Sequence, residues 1–546
     1  INTASGLYAT VAGGYNNISS GVRSAIGGGC GHTASGCSST IAGGTNNTAN
    51  GNYGAILGGS SMTASGYLSV AVGGNTNCAC VTYATVVGGY LNTSSGYAGF
   101  IGGGKSNTAS TYYPTIGGGS SNGATNCWTT IAGGRSNAAS AVYGTIGGGY
   151  GNTASGIGST VGGGCINVAS NATSTISGGT SNISSGTYSV VGGGYNNTAS
   201  HNYSTVGGGY INSIATNSYA GTISGGYRNY MYASNGTIGG GLCNWMCCSL
   251  NANSSAGSTI AGGVGNNTSG GTWNSGGYFS VAPTTFYAAG QLSTIGGGFQ
   301  NRATGACATI GGGINNVASA NRTFIGGGCS NTASGSYSFI GGGRTHTTSA
   351  DWSTVSGGYT NVASGQISVV AGGYGNTASG CRSAVLGGQS NAASGHWSTV
   401  GGGISNTSSG YRATIGGGAG NSATSSFNTV AGGWNNSASG YRSFVGGGYA
   451  NSASGYNATV VAGRANGASN TYAFAGGGYS NTASGYASFV GGGFFNTSSG
   501  CYTFIGGGNN NEAVAGARNV ISGGQANKIC GSSSGCNTIG GGWTNC

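Results

Sequence analysis

A string of the form T-I-G-G-G-x-x-N-T-A-S-G-x-x-S recurs every 15 residues along almost the whole chain. A period this strict means that one small structural unit stacks on copies of itself, so the repeat constrains the fold before composition does. With the Ile or Val of each unit taken as slot zero, the column runs Val11, Ile26, Ile41, Ile56, Ala71, Val86 and Ile101, in step to Val206. It runs again from Ile295 to Ile505 without a slip. Between these blocks stand Ile223, Ile238, Ile260 and Val281, and after them Ile521 and Ile539, about 35 turns in all.

Slot zero is β-branched in nearly every turn, which suits a pleated, half-buried surface. Slot eight is usually Ala, as in Ala34, Ala109 and Ala154. Both slots are expected to point inward, the small Ala setting how thin the coil is. Slot two is Gly except at Pro283 and Ala462, and slot ten is often Gly, with Asn126, Asn171 and Asn470 as replacements. Gly exchanging with Asn marks backbone of positive φ, so slots two and ten are read as corners. No helical period appears, and glycine this frequent would weaken any helix.

Slot six is Asn in nearly every turn, at Asn92, Asn107, Asn122, Asn137 and Asn152 and again at Asn361, Asn376 and Asn391. One Asn per turn at one place predicts an axial amide ladder in which each side chain hydrogen-bonds its neighbours above and below. His32 and His346 take this slot in their turns. Several N-x-S/T sequons, including those at Asn17, Asn92, Asn406 and Asn496, fall on the ladder, and an inward Asn carries no glycan.

The predicted fold is all-β: a parallel β-solenoid, or β-roll, with two short strands and two corners per turn. Turns stacked about 4.8 Å apart make a rod roughly 170 Å long. So thin a coil buries little apolar area, and backbone ladders, Asn and Thr columns and neighbouring chains are expected to hold it together. The repeat divides the chain into a regular stretch 1–210, a stretch 211–294 with loop insertions, a second regular stretch 295–508 and less regular turns over 509–546.

Composition narrows the function. Lys and Arg number 13 against Asp351 and Glu512 alone, a sparse positive charge along a rod rather than the concentrated basic face of a nucleic-acid binder. No apolar run is long enough to span a membrane. No signal peptide is visible, and both ends fall inside a repeat, which reads as a processed form or a fragment. The two carboxylates are many turns apart and cannot work as a pair. His32, His201, His346 and His396 are scattered likewise, so no metal site, triad or cofactor is expected and no catalysis. Of the 16 cysteines, Cys30, Cys165 and Cys329 sit in slot four and Cys37, Cys381 and Cys501 in slot eleven, on distant turns. Local pairing is expected only for Cys243 with Cys247 or Cys248, and for Cys530 with Cys536.

Two aromatic columns are candidate contact surfaces. Slot four carries Tyr195, Tyr210, Tyr227, Tyr359, Tyr374, Trp434 and Tyr449, among others, and slots eleven and twelve carry Tyr67, Tyr97, Trp352, Trp397, Tyr411, Tyr441, Tyr456 and Tyr486. They suit packing between chains or a stripe that meets glycans or cell surfaces. Arg23, Arg322, Arg382, Arg412 and Arg442 occupy slot twelve, the last three on every second turn, a spacing that keeps like charges apart. The less regular regions 242–259 and 264–294 hold Cys243, Trp245, Trp273, Tyr278, Phe279, Phe286 and Tyr287, and insertions in a solenoid emerge as loops on one face.

Segments such as Ser204-Thr205-Val206-Gly207-Gly208-Gly209 and Asn152-Thr153-Ala154-Ser155-Gly156 resemble the head repeats of trimeric autotransporter adhesins and related tail-fibre-like repeats. The likeness covers nearly the whole chain. It implies a left-handed parallel β-roll, three chains side by side, and a surface-displayed adhesive or spacer role. The chain departs from that pattern in its slightly longer period, in its cysteine content, and in showing no coiled-coil stalk or membrane anchor. The expected function is an extracellular structural or adhesive fibre that makes multivalent contacts along a rigid rod. Its partners would be copies of itself, as a homotrimer or by lateral or end-to-end assembly, and glycans or cell surfaces. A self-assembling filament subunit and an ice-binding solenoid, the latter favoured by low charge and regular Thr, are the alternatives.

Overall fold

The computed structural model describes residues 1–246, 256–268, 272–273, 279–281, 290–514, 516–530 and 536–546. Cys247, Cys248, Tyr278, Pro283, Phe286 and Tyr287, singled out above, lie outside the described residues, as does the side chain of Trp273. Among the described residues there is no helix, and therefore none long and apolar enough to cross a membrane.

Short strands pair in parallel from each turn to the next, as the repeat predicts. Thr115–Ile116 pairs with Thr130–Ile131, and Thr108–Ala109 with Gly123–Ala124. The alanine-bearing strands form one 17-stranded and one 16-stranded sheet, about 33 turns against the 35 counted from the repeat. Val281 is not a member of the isoleucine column: it lies in Phe279–Val281, which pairs antiparallel with Thr272–Trp273. A turn also has a third ladder that the repeat does not announce. Slot four bridges to slot four of the next turn, as in Tyr90 to Lys105 to Ser120.

Alternation along each two-residue strand builds the core. In Thr-Ile the Ile points inward and the Thr outward; in Thr-Ala the Ala points inward. Ile26, Ile41, Ile101, Ala34, Ala109 and Ala154 are all fully buried. Each buried Ile contributes about 1.5–3 kcal/mol, and the small Ala lets the opposite wall approach.

The corners differ from the expectation. Left-handed backbone falls in each regular turn at slots three, five and twelve; slot two has positive φ only in some turns, as at Gly103 and Gly148 (φ +157° and +151°), and slot ten is seldom positive, Thr111 (φ +81°) being one case. Slot three, for example Gly134 at φ +90°, needs glycine twice over, because a Cβ there would also lie 2.2 Å from the carbonyl oxygen of Gly149. Slot five takes the same conformation with polar residues such as Asn16 and Ser121. At slot ten the reason for glycine is crowding: a Cβ on Gly21 would meet the carbonyl oxygen of Gly36 at 2.1 Å. Asn replaces it for a different reason than φ. Asn126 accepts from the N–H of Cys127 (2.8 Å) and donates to the carbonyl of Ser140 in the next turn (3.0 Å), and Asn171 and Asn470 repeat the pattern. At slot two a Cβ on Gly133 would meet nothing.

The chain forms two compact units, Ile1–Ala289 and Gly290–Cys546. Among the described residues of the first, turns of 17 and of 22 residues occur, and the amide column continues across both. Residues 242–246 belong to the stack: Trp245–Met246 pairs with Tyr230–Met231. In the second unit the repeat is regular until turns of 16 and 18 residues near its end.

Candidate functional site: the amide column and the aromatic columns

The slot-six asparagines are buried and form an axial column, though not chiefly through amide-to-amide bonds. Asn92 donates to the carbonyl of Gly88 in its own turn (2.8 Å) and to that of Gly104 in the next (2.9 Å). Its Oδ1 accepts the backbone N–H of Asn107 (3.0 Å). Asn107, Asn122, Asn137 and Asn152 repeat this set, as do Asn361, Asn376 and Asn391. Direct side-chain bonds, such as Asn107 to Asn92 at 3.1 Å, occur in some turns only. The glycine-rich corner carries carbonyls that face the core, and one primary amide per turn satisfies them. The sequon residues Asn17, Asn92, Asn406 and Asn496 are fully buried in this column.

His32 and His346 reproduce half of the Asn role. Nδ1 of each accepts the N–H of Asn47 or Asn361, at 3.1 and 3.0 Å. Nε2 of each is buried without a hydrogen-bond partner of normal geometry. Burial pushes both imidazoles below their ordinary pKa, opposed in part by nearby backbone groups of Gly44 and of Gly358 and Asn361. Both rings are neutral members of the scaffold rather than ligands.

Most slot-four aromatics are exposed, Tyr227 and Tyr479 being half-buried, and they meet in short runs. Tyr195, Tyr210 and Tyr227 stack with centroids 5.0 Å apart at each step. Tyr359 stacks on Tyr374, and Trp434, 62% exposed, meets Tyr449 edge-on. Ser, Gln, Asn and other residues in the same slot break the column. Trp245 is elsewhere, in slot seven on the alanine side, against Tyr230 and Tyr232.

The longer ladders lie in slots eleven and twelve. In the first unit ring contacts run without a gap through Tyr53, Tyr67, Tyr83, Tyr97, Tyr113, Trp128 and Tyr143. In the second they run from Trp397 through Tyr411, Phe427, Tyr441, Tyr456, Tyr472 and Tyr486 to Tyr502. Successive rings alternate between the two slots over most of their length, and where they alternate the contact is mostly edge-to-face, a favoured arrangement for aromatic quadrupoles. Crowding has an electrostatic signature: Tyr97 is held above the ordinary phenol pKa by burial first and by Tyr113, Tyr83 and Tyr112 next. The slot-twelve arginines are built into this surface. Arg382, Arg412 and Arg442 lie over ring faces of their neighbours, so they are more than a dilute solvated charge.

Other candidate chemistry does not come together. Cys78, in the strand Cys78–Ala79, and Cys80, just past its end, form a disulfide with their Cα atoms 5.2 Å apart, a local pair outside those expected from the sequence. Cys530 and Cys536 are free and exposed, which corrects their expected pairing; Cys243 is free and buried. Glu512 pairs with Lys528 in the same slot of the next turn. Among the described residues no three His, Cys, Asp or Glu side chains are placed to hold a metal. No family model matches the chain, and no curated protein matches it.

Proposed function

We propose that this chain is a structural, adhesive fibre, displayed outside the cell, whose stacked turns hold columns of exposed rings for multivalent contact without turnover. The observation that carries this reading is the unbroken series of ring contacts from Trp397 to Tyr502, most of them on exposed side chains. A single exposed ring is ordinary, but a continuous apolar file on a rigid backbone is an interaction surface. Weak contacts repeated at a fixed pitch add as avidity. Extracellular display and assembly with copies of itself follow from the resemblance to adhesin head repeats.

The test is adhesion of the full chain to cell-surface glycan arrays and cell layers, compared with a variant carrying Tyr411→Ser, Tyr441→Ser, Tyr456→Ser and Tyr486→Ser. Adhesion lost with an unchanged β-sheet spectrum supports the reading. Equal adhesion by both proteins ends it. Sedimentation velocity on the same samples reports whether the ladder joins copies of this chain instead.

One observation favours the ice-binding alternative. Thr115, Thr130, Thr145, Thr160 and Thr175 form an outward threonine rank on five successive turns in strict register. Val190 follows in the next turn, and Phe100 precedes. Thermal hysteresis by the full chain, abolished by Thr145→Tyr, would move the assignment to this rank; its absence removes ice binding.

A further inference from the structure

Slot twelve of the second unit holds, over five consecutive turns, Arg382, Trp397, Arg412, Phe427 and Arg442. Cation and ring alternate strictly. Trp397 lies between two guanidiniums, with the Arg382 and Arg412 carbons 4.7 and 5.0 Å from its centroid. Phe427 lies between Arg412 and Arg442 at 5.9 and 5.6 Å. The guanidiniums also sit 5.1 Å from Tyr411 and Tyr441, the slot-eleven neighbours in their own turns. All three arginines are exposed.

We infer that this comb binds a linear anionic polysaccharide, one that carries an acidic group about once per disaccharide. The inference rests on the adhesive reading and names its ligand class. Three observations lead to it. The first is unmet charge. The chain has only two carboxylates, Asp351 and Glu512, and Glu512 is paired with Lys528. A guanidinium lying over a ring keeps its in-plane N–H donors for an acceptor, and a bidentate carboxylate or sulfate fits that edge. The second is pitch. Guanidiniums two turns apart are about 9.6 Å apart, close to the length of a disaccharide unit. DNA carries a phosphate about every 3.4 Å of strand, roughly three times too dense for this comb. The two rings are flanked by guanidiniums on both sides, so they do not offer free faces on which bases stack, as single-strand binders do. They act as spacers that hold the cations at the two-turn pitch.

The third is conformational cost. All five residues are left-handed, with φ between 55° and 61°. Bulky side chains are disfavoured there, and the slot elsewhere accepts Gly158 and Asn457, which are at ease in that region. Long cationic and aromatic side chains are therefore held at positions where small ones would relax the backbone.

The experiment uses the full chain and four immobilised probes: hyaluronan, with carboxylate alone; heparin, with sulfate and carboxylate; neutral dextran; and single-stranded DNA. Binding to hyaluronan or heparin that weakens with salt, and not to dextran, is expected; the ratio of the two tells carboxylate from sulfate recognition. The triple variant Arg382→Gln, Arg412→Gln, Arg442→Gln should lose on the order of 10–100-fold in affinity with an unchanged β-sheet spectrum. Trp397→Gln with Phe427→Gln, which keeps every charge, should weaken binding by less and flatten the preference among the anionic probes. Equal binding by the triple variant, equal binding to dextran, or tighter binding to DNA than to either polysaccharide overturns the inference. Adhesion that survives in the triple variant while polysaccharide binding is absent overturns this inference and leaves the adhesive reading standing. Adhesion that ignores the tyrosine substitutions as well sinks both.

Discussion

The side-chain oxygen of Asn122 accepts the backbone N–H of Asn137, one turn on, at 3.0 Å. The amide nitrogen of the same residue bonds the carbonyls of Gly118 and Gly134 at 3.0 and 2.9 Å. One side chain thus ties its own corner to the turn that follows. Asn122→Ala strands the buried N–H of Asn137 and takes the side-chain donor from the carbonyl of Gly118, while the carbonyl of Gly134 keeps the N–H of Ser120. The expected cost is about 2–4 kcal/mol, since each orphaned group costs about 1–3 kcal/mol and some relax toward others. In a stack where each repeat touches only its neighbours, the damage stays local. Amide exchange should accelerate around residues 118–137 and stay slow several turns away. Uniform exchange along the unit would show that the column is not what holds each corner.

His346 makes stability depend on pH. Its Nδ1 accepts from Asn361 only while the ring is neutral, and burial lowers its pKa from the ordinary value of about 6.5. The unfolded chain therefore binds a proton more readily than the folded one as pH falls below about 6.5. Stability is full above that value and declines as pH falls toward the depressed folded pKa. His346→Asn should remove the share of this decline that His346 causes, leaving that of His32, and restore the missing donor, so the variant gains most over the native chain at acid pH. Denaturant midpoints of the two proteins between pH 7.5 and about 5 test this; parallel curves would exclude the histidine as the source.

Adjacent glycines in one corner should respond very unequally to the same substitution. Gly134→Ala places a Cβ at φ +90° and 2.2 Å from the carbonyl oxygen of Gly149, so the turn has to open. Gly133→Ala puts its Cβ in open space, and Ala462 already stands in that slot in another turn. The first should cost several kcal/mol, about 3 or more, and the second less than about 1 kcal/mol. Thermal unfolding of the two variants decides. Equal losses would mean that slot two has a constraint of its own.

How far the sequence could be followed depends on whether a feature keeps to one column. Ile116, Ala109 and Asn107 repeat one residue type in one slot, and each type has one buried role, so the two inward walls and the amide column were legible. The third ladder, through Tyr90, Lys105 and Ser120, was not, because backbone bridging leaves slot four free to hold any side chain. Glycine frequency likewise marked the corners without separating the left-handed Gly134 from the crowded Gly21 and the unconstrained Gly133. The aromatic surface shows the same limit. Slot four drew attention as a single file, whereas the longer ladder zigzags: Tyr67 is in slot eleven and its neighbours Tyr53 and Tyr83 are in slot twelve. The sequence groups slots eleven and twelve as one surface but does not show that rings on successive turns meet one after another. The cation–ring alternation of Arg382, Trp397 and Arg412 was half visible, as a spacing of charges without the rings between them.

The tyrosine ladder of the first unit should ionise as a coupled set. Tyr97 meets Tyr83 and Tyr113 edge-on at 5.5 Å each, and its phenol is raised by burial first and then by the prospect of neighbouring phenolates. Tyr113→Phe keeps the ring and removes one phenolate. The midpoint of Tyr97 should move part of the way back toward the ordinary value of about 10, and not the whole way, because the larger cause, burial among rings, is untouched. Tyr113→Ala, which also opens the ladder to water, should move it further. Chemical-shift titration of ring-labelled tyrosine follows the residue directly. A Tyr97 midpoint that is the same in the native chain and both variants would mean that the rings are neighbours on the surface without forming one electrostatic unit.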